Sequence, residues 1–305
     1  MANGQWYPPE WPERIRALAE GTLTPVVPRR AATVMLLKDT GPGPDPEETG
    51  SGSGGTGSRP AVHMLRRRAS MAFAGGAYAY PGGGVDPRDD DHHVRWAGPK
   101  RAWWASRLGV DEASAQAIVC AAVRETYEEA GVLLAGPAAD TVVGDTTGDD
   151  WETDRAALVA RDLSFAEFLD RRGLVLRSDL LGAWTRWITP EFEPRRYDTF
   201  FFVAVLPKGQ RTRNASTEAD RTVWIRPSEA MDGYDRGDLL MMPPTIATLR
   251  QLGAYGTAAE ALAAAPGRDM TPVLAQARLV DGELVLSWPG HDEFTKRIPT
   301  GGASA

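Results

Sequence analysis

The chain has 305 residues, 42% of them hydrophobic, with ten Trp and a formal net charge of −7. That length suits one elaborated domain or two modest ones with a real core, and the acidic balance argues against a general nucleic-acid binder, which needs a basic face. A single cysteine, Cys120, excludes a disulfide framework or a thiolate metal site, and four His leave no zinc spacing apart from the adjacent His92 and His93. No run of apolar residues is long enough to span a membrane, and the first residues lack the hydrophobic core of a secretory signal. The last residues, Gly302-Ala303-Ser304-Ala305, are not a peroxisomal address. A cytoplasmic, reducing setting without a membrane partner is therefore expected.

In chain order, residues 1–27 read as a Pro-, Trp- and Arg-rich arm with one short helical piece near 13–20. An apolar run at 31–38 and another at 61–68 read as strands of a hairpin. Between them, residues 41–60 carry seven Gly with Pro and Ser and little to bury, which predicts a flexible loop. After Tyr78 and Tyr80 comes Pro81-Gly82-Gly83-Gly84, a run suited to backbone that must approach something closely. Asp89-Asp90-Asp91-His92-His93 reads as a polar surface loop, with metal binding the lesser alternative, followed by a stretch at 96–108 that carries Trp103-Trp104 on a short helix.

The next segment predicts a helix over 112–130, with Asp111 as N-cap and Gly131 as its C-terminal stop. At about 100° per residue, Glu125, Glu128 and Glu129 share one face, opposite Val119, Val123, Thr126 and Ala130. Three acids in a last turn repel one another and face the negative end of the helix dipole. Arg124 can answer Glu128, but two acids remain, and a divalent cation would resolve the conflict because hard cations prefer carboxylate oxygen.

Further on, 132–134 starts a strand, and 150–173 reads as two helices, the second opened by the capping box Ser164-Phe165-Ala166-Glu167. Strands are predicted at 184–188, 198–206 and 222–225, the middle one with Phe200, Phe201 and Phe202 in sequence, as in a strand buried on both faces. Helices follow at 239–252 and 258–265. Two last strands, 276–280 and 283–288, flank Asp281-Gly282, a hairpin signal. The mixture predicts an α+β fold with a mixed sheet between helical layers.

The Gly-rich turn, an acid, and Arg124-Glu125-Thr126-Tyr127-Glu128-Glu129-Ala130-Gly131-Val132 together resemble the Nudix hydrolase signature, G-x5-E-x7-R-E-U-x-E-E-x-G-U with U aliphatic. The second half matches closely, with Thr126 at the first aliphatic position. In the first half, counted from Gly83, the acidic position falls on Asp89 instead of Glu. Residues 90–123 stand where the pattern has seven, an insertion within the box. One branch of the family, the coenzyme A diphosphohydrolases, carries an enlarged insert at this point. Ala79-Tyr80-Pro81-Gly82-Gly83, Ala130-Gly131-Val132-Leu133-Leu134 and Arg195-Arg196-Tyr197-Asp198-Thr199-Phe200-Phe201 are similar to it as well.

The resemblance covers roughly 28–255, leaving 256–305 as an extension of a helix and a β-hairpin. It implies a Nudix-like α/β/α sandwich with the insert at about 90–115. It further implies Mg²⁺- or Mn²⁺-dependent hydrolysis of a pyrophosphate in a nucleoside diphosphate derivative. Coenzyme A or acyl-CoA is the first expectation; ADP-ribose, NADH or another dinucleotide, or a non-catalytic nucleotide-binding module, is the alternative. Glu125, Glu128 and Glu129 would hold the metal with a backbone carbonyl of Gly82 or Gly83, and Arg124 would orient Glu128. Asp89, one methylene shorter than Glu, would play a supporting role or serve as base only if the insert brings it near. The general base stays open among Glu125, Glu128 and a later carboxylate such as Glu218. Arg195 and Arg196 would clamp phosphates, and Tyr78, Tyr80 or an insert Trp would stack on a base. Substrate choice is expected to lie in the loops and the insert. The partner is a small nucleotide, not a nucleic acid, and dimers are common in the family, so a homodimer is one expectation.

Overall fold

The computed structural model describes residues 7–41, 59–71, 74–280 and 283–299. The predicted loop at 41–60 lies almost wholly outside them, as does the Asp281-Gly282 turn. The chain opens with α1 (Trp11–Ala19), β1 (Arg29–Thr40) and β2 (Arg59–Arg67), then the short β3 (Tyr78–Ala79) and β4 (Gly82–Gly84). A 3-10 turn at Pro87–Asp90 leads to β5 (Trp96–Ala97), α2 (Arg101–Leu108) and the long α3 (Glu112–Ala130). Next come β6 (Ala135–Gly136), α4 (Asp149–Val159), α5 (Phe165–Arg171), β7 (Val175–Arg177), β8 (Leu181–Ile188), β9 (Tyr197–Val205) and β10 (Ala219–Ile225). The chain ends with α6 (Pro227–Arg236), α7 (Pro243–Leu252), α8 (Ala258–Ala264), β11 (Pro272–Leu274), β12 (Gln276–Val280), β13 (Glu283–Ser287) and β14 (Lys296–Pro299).

The main sheet runs β10-β2-β1-β9-β8-β11, with β3 on β2 and β4 on β1. It is mixed: β1 runs parallel to β9 and β8 to β11, while the other pairs are antiparallel. Its strands alternate between two cores because successive side chains point to opposite faces. Ala32, Val34 and Leu36 of β1 with Phe200 and Phe202 of β9 pack beneath α3 and its neighbours. Met35, Leu37, Phe201 and Val203 face the other way, toward α7, α8 and the C-terminal strands. The predicted layered α+β architecture follows from this double burial.

The insert is a packed element. α2 lies against α3, with Trp104 fully buried beside Phe202 at a ring separation of 5.9 Å. β5 pairs with β7, and β6 pairs with the other edge of β7. Arg107 donates to the carbonyls of Ala183 and Ala265, at 3.2 and 2.8 Å, and so ties the insert to the far end of the sheet. The strand expected at 132–134 begins instead at Ala135: the Leu133 N–H and carbonyl are both taken by the Gln210 side chain, at 2.8 Å each, and not by a neighbouring strand. The C-terminal extension is joined to the main sheet through β11, and β12 and β13 pair as the predicted hairpin with β14 added alongside.

Candidate active site

α3 begins where the Asp111 side chain accepts the Ser114 N–H at 2.8 Å and stops at Gly131, whose φ of 69° is left-handed. From Ser114 to Val123 every side chain is buried, so the helix is enclosed nearly all round, more than a two-sided pattern predicts. Its last turns emerge into a cleft of about 1570 Å³ that also contains β4, the turn at Pro87–Asp90 and the loop before β10. Glu125, Glu128 and Glu129 all line it.

Arg124 organises the cluster. Its Nε and Nη2 donate to the two oxygens of Asp89 at 3.0 and 2.9 Å, while Nη1 reaches Glu125 at 2.7 Å and Glu128 at 3.2 Å. Nη2 also donates to the Gly84 carbonyl at 3.0 Å. Burial opposes the Arg124 charge, but the Asp89 hydrogen bonds and the neighbouring carboxylates raise its pKa above the ordinary value. Burial likewise raises Asp89, although Arg124 works against it.

Glu129 is held from two sides. Gly82 N–H donates to Oε2 at 2.8 Å and the Ser216 hydroxyl to Oε1 at 3.2 Å. Gly83 lies so near Glu125 that a β-carbon there would meet its carboxylate at 2.6 Å, which is why this position takes glycine. Burial pushes Glu125 up to about 7, with the Glu128 charge adding to it. Burial and then the Glu125 charge push Glu129 up to about 8. Glu128 is also raised, by burial first. Three hard oxygen donors whose charges are mutually unfavourable without a counterion fit a divalent cation.

The helix end is compensated in a way the sequence did not suggest. Arg155 of α4 donates to the Glu128 carbonyl at 2.8 Å and the Ala215 carbonyl at 3.1 Å. Arg213 closes on the carbonyls of Ala130, through its backbone N–H, and Gly131, through its side chain. These two cations answer the negative end of the dipole and dock the 207–218 loop beside the acids. Ser216, Arg155 and Arg213 carry no local signal; only their distant partners give them a role.

The other expected residues divide. Arg195 is exposed and lines the cleft. Arg196 is not brought to it as a phosphate clamp: the side chain is buried and donates to the carbonyls of Thr189 and Val26 at 3.0 and 2.7 Å. Tyr80 touches the cleft lining, but its hydroxyl is spent on the Thr245 carbonyl and the Thr248 hydroxyl, at 3.1 and 2.9 Å, which makes it part of the core under α7. Tyr78 is also buried, and none of the insert residues Trp96, Trp103 and Trp104 lines the cleft. Glu218 does line it, 3.4 Å from Arg67. Asp91, His92 and His93 place ligand-type atoms within 4.8 Å of one another. They lie outside the cleft lining, and Asp91 is already bonded to His93 at 2.8 Å.

Comparison with known proteins agrees with this geometry. The family model described as the NUDT19 Nudix domain matches residues 28–252. The acyl-coenzyme A diphosphatase NUDT19 of Gallus gallus is 25% identical over 228 residues, 62% of this chain and 60% of that protein. Its Xenopus laevis counterpart is 23% identical over 274 residues, 76% of this chain and 71% of that protein. The chain thus spans about three-fifths of the chicken relative's length. Among solved structures, a NUDIX hydrolase from Alicyclobacillus acidocaldarius superposes with a TM-score of 0.60 at 26% identity, covering 78% of this chain and 96% of the other. With the box residues gathered in one cleft and the family model matched over most of its length, the chain belongs to the Nudix hydrolase family and carries a domain of the NUDT19 type.

Proposed function

We propose that this protein hydrolyses a pyrophosphate bond in a nucleoside diphosphate derivative with the help of Mg²⁺ or Mn²⁺, and that coenzyme A or an acyl-CoA is the substrate. The observation that carries the reading is the meeting of Glu125, Glu128 and Glu129 with Gly82 and Gly83 in one cleft. The names of the NUDT19 relatives support the substrate. A bound divalent ion supplies Lewis acidity toward phosphoryl oxygen and lowers the pKa of a coordinated water.

The chain's own residues do the rest. Glu125, Glu128 and Glu129 offer the oxygen donors, joined by a carbonyl of Gly82 or Gly83. Arg124 orients Glu125 and Glu128 from behind and stays off the substrate. Asp89 fixes the other edge of the guanidinium. Ser216 and the Gly82 amide hold Glu129 with one hydrogen bond to each oxygen, which leaves each oxygen further acceptor capacity for a metal ion. Glu218, on the same loop as Ser216, is the carboxylate outside the metal-holding face that can accept the proton of the attacking water; Glu125 is the second candidate. Arg195 faces the substrate's phosphates.

Product release from coenzyme A, acetyl-CoA, ADP-ribose, NADH and a dinucleoside polyphosphate, each with Mg²⁺, Mn²⁺ or EDTA, tests the reading. Metal-dependent cleavage confined to the CoA compounds is expected. Cleavage of another compound alone would reject the substrate, and binding without any turnover would reject the enzyme in favour of a nucleotide-binding module.

A further inference from the structure

Where a helix of this chain stops in a left-handed turn, glycine usually takes the turn. α1, α2, α3, α5 and α6 are followed within two residues by Gly21, Gly109, Gly131, Gly173 and Gly237, with φ between 62° and 84°. None of these five glycines lines the cleft. The end of α4 does line it, and there the left-handed residue is Arg161, with φ 63°. Apart from Ala74, it is the one non-glycine residue with positive φ among the described residues. A β-carbon in that conformation crowds the following carbonyl oxygen, so glycine is the unstrained choice.

Among the described residues, nothing in the fold requires the arginine side chain. The Arg161 N–H donates to the Leu158 carbonyl and the Asp162 N–H to the Ala157 carbonyl, both at 2.9 Å, which closes the helix. Arg88 Nη1 donates to the Arg161 carbonyl at 3.0 Å. At position 161 these bonds use backbone atoms that glycine would supply equally. The Arg161 side chain is 78% exposed, and its ion-pair partner, Asp86, is 4.0 Å away. Asp86 is already bound by Arg88, through Nε and Nη2 at 3.0 Å each and the backbone N–H at 2.9 Å. An exposed pair at that distance contributes little. A strained backbone kept for a side chain without a structural task points to function.

The surroundings of the side chain indicate which function. Asp86 N–H donates to Asp89 Oδ2 at 2.8 Å, and Asp89 pairs with Arg124 at 2.9 Å. Arg88 thus ties the end of α4 to the turn that backs the metal-holding glutamates, and Arg161 shares one cleft with Glu125, Glu128 and Glu129. A guanidinium with free donors meets phosphate oxygens through paired hydrogen bonds. We infer that Arg161 is a substrate-contact residue whose guanidinium binds an anionic oxygen of the nucleotide, and that α4 ends in a strained residue so as to present it. The inference rests on the functional reading above, because it needs a nucleoside diphosphate derivative in the cleft.

Strain and binding are separable by substitution. Arg161→Gly removes both the β-carbon and the guanidinium. Its melting temperature is expected to rise by about 2 °C while affinity for ADP in Mg²⁺ falls about tenfold. Arg161→Asn tolerates the left-handed backbone but carries no charge, and should lose the same affinity without melting lower. Calorimetric titration of the full chain with ADP and Mg²⁺, beside a thermal melt without ligand, reads both. Arg171, exposed on α5 outside the cleft lining, serves as control: Arg171→Gln should leave ADP affinity unchanged. Unchanged affinity in the Gly and Asn variants overturns the contact, as does an equal loss in Arg171→Gln, which would mark a general charge effect. A lower melting temperature in Arg161→Gly would give the side chain a structural role and overturn it as well. Coenzyme A turnover with Mg²⁺ is read separately on the unaltered protein. Turnover with unchanged variant affinity rejects the contact and keeps the functional reading. Loss of ADP affinity in the variants, with no pyrophosphate turned over by the unaltered protein, keeps the contact and rejects the enzyme. No binding of ADP by the unaltered protein overturns both.

Discussion

Asp89 and Arg124, 35 residues apart in sequence, meet in a two-pronged buried ion pair. The whole insert leaves the chain after Asp89 and returns before Arg124, so the two halves of the signature close as though the intervening residues were absent. A local device places the shorter acid. The backbone N–H of Asp86 donates to Asp89 Oδ2 at 2.8 Å, and the Arg88 N–H donates back to Asp86 at 2.9 Å. The turn so formed fixes Asp89, and the shorter acid reaches Arg124 from it with both oxygens.

Removing Asp89 should therefore cost more than a surface charge. Asp89→Ala leaves Arg124 buried with only part of its hydrogen bonding, a loss of about 3 kcal/mol. Chemical denaturation measures it, and a change below about 1 kcal/mol, the worth of an exposed pair, would show that the pair does not organise the helix end.

Glu128→Gln keeps the shape of the side chain and removes its charge. Metal-dependent turnover should fall at least about a hundredfold while the melting temperature moves by no more than about 4 °C. Retained turnover would remove Glu128 from the metal-holding set.

Ser216 is expected to act through Glu129 as a positioning residue. Ser216→Ala should weaken divalent-ion affinity about tenfold, and Ser216→Thr, which keeps the hydroxyl, should restore most of it. Titration with Mn²⁺ separates this from a general loss of fold, because in that case Ala and Thr would behave alike in melting and in binding.

The raised carboxylates set a pH dependence. Glu125 at about 7 and Glu129 at about 8 lie above the ordinary value of 4.5, so the folded state holds more protons than the unfolded state between those limits. Their contribution to stability is complete below the unfolded value and is lost as pH rises through the folded values. Buried His63 works in the opposite sense, lowered to about 4 from 6.5 chiefly by burial, and it is neutral in both states above pH 6.5. Metal-free protein should accordingly lose melting temperature from pH 6.5 to 8.5, and Mg²⁺ should restore it increasingly over the same range, since binding requires deprotonated ligands. A scanning-calorimetry series with and without EDTA checks both slopes.

The insert should behave as core. Trp104→Ala removes a fully buried side chain and should cost about 3–5 kcal/mol. Trp104→Phe should cost much less, because the indole N–H is buried without a hydrogen-bond partner and its loss offsets the lost contact area. Equal losses in the two variants would show that the indole N–H does not matter. Substrate preference should be unaffected by Trp104→Phe, contrary to the expectation that the insert selects the substrate, since Trp104 lies outside the cleft lining.

Much of this protein is written in short-range order. The limits and caps of α3, the Ser164–Glu167 box of α5 and the alternating strands follow from residues within four positions of one another, because helical bonds, caps and strand pleat act over that distance. The three glutamates shared a helical face from their spacing alone. What the local pattern could not decide was which distant groups meet that face. Arg195 and Arg196 are identical neighbours in sequence, yet one opens to the cleft and the other is buried on the Val26 and Thr189 carbonyls. The Tyr80 hydroxyl turned to α7, the insert Trp104 went into the core, and the 207–218 loop brought Ser216 to Glu129. These outcomes depend on strand order and on burial in the two cores. They were settled only when the chain closed, because side chains so far apart in sequence interact through space and leave no periodic trace.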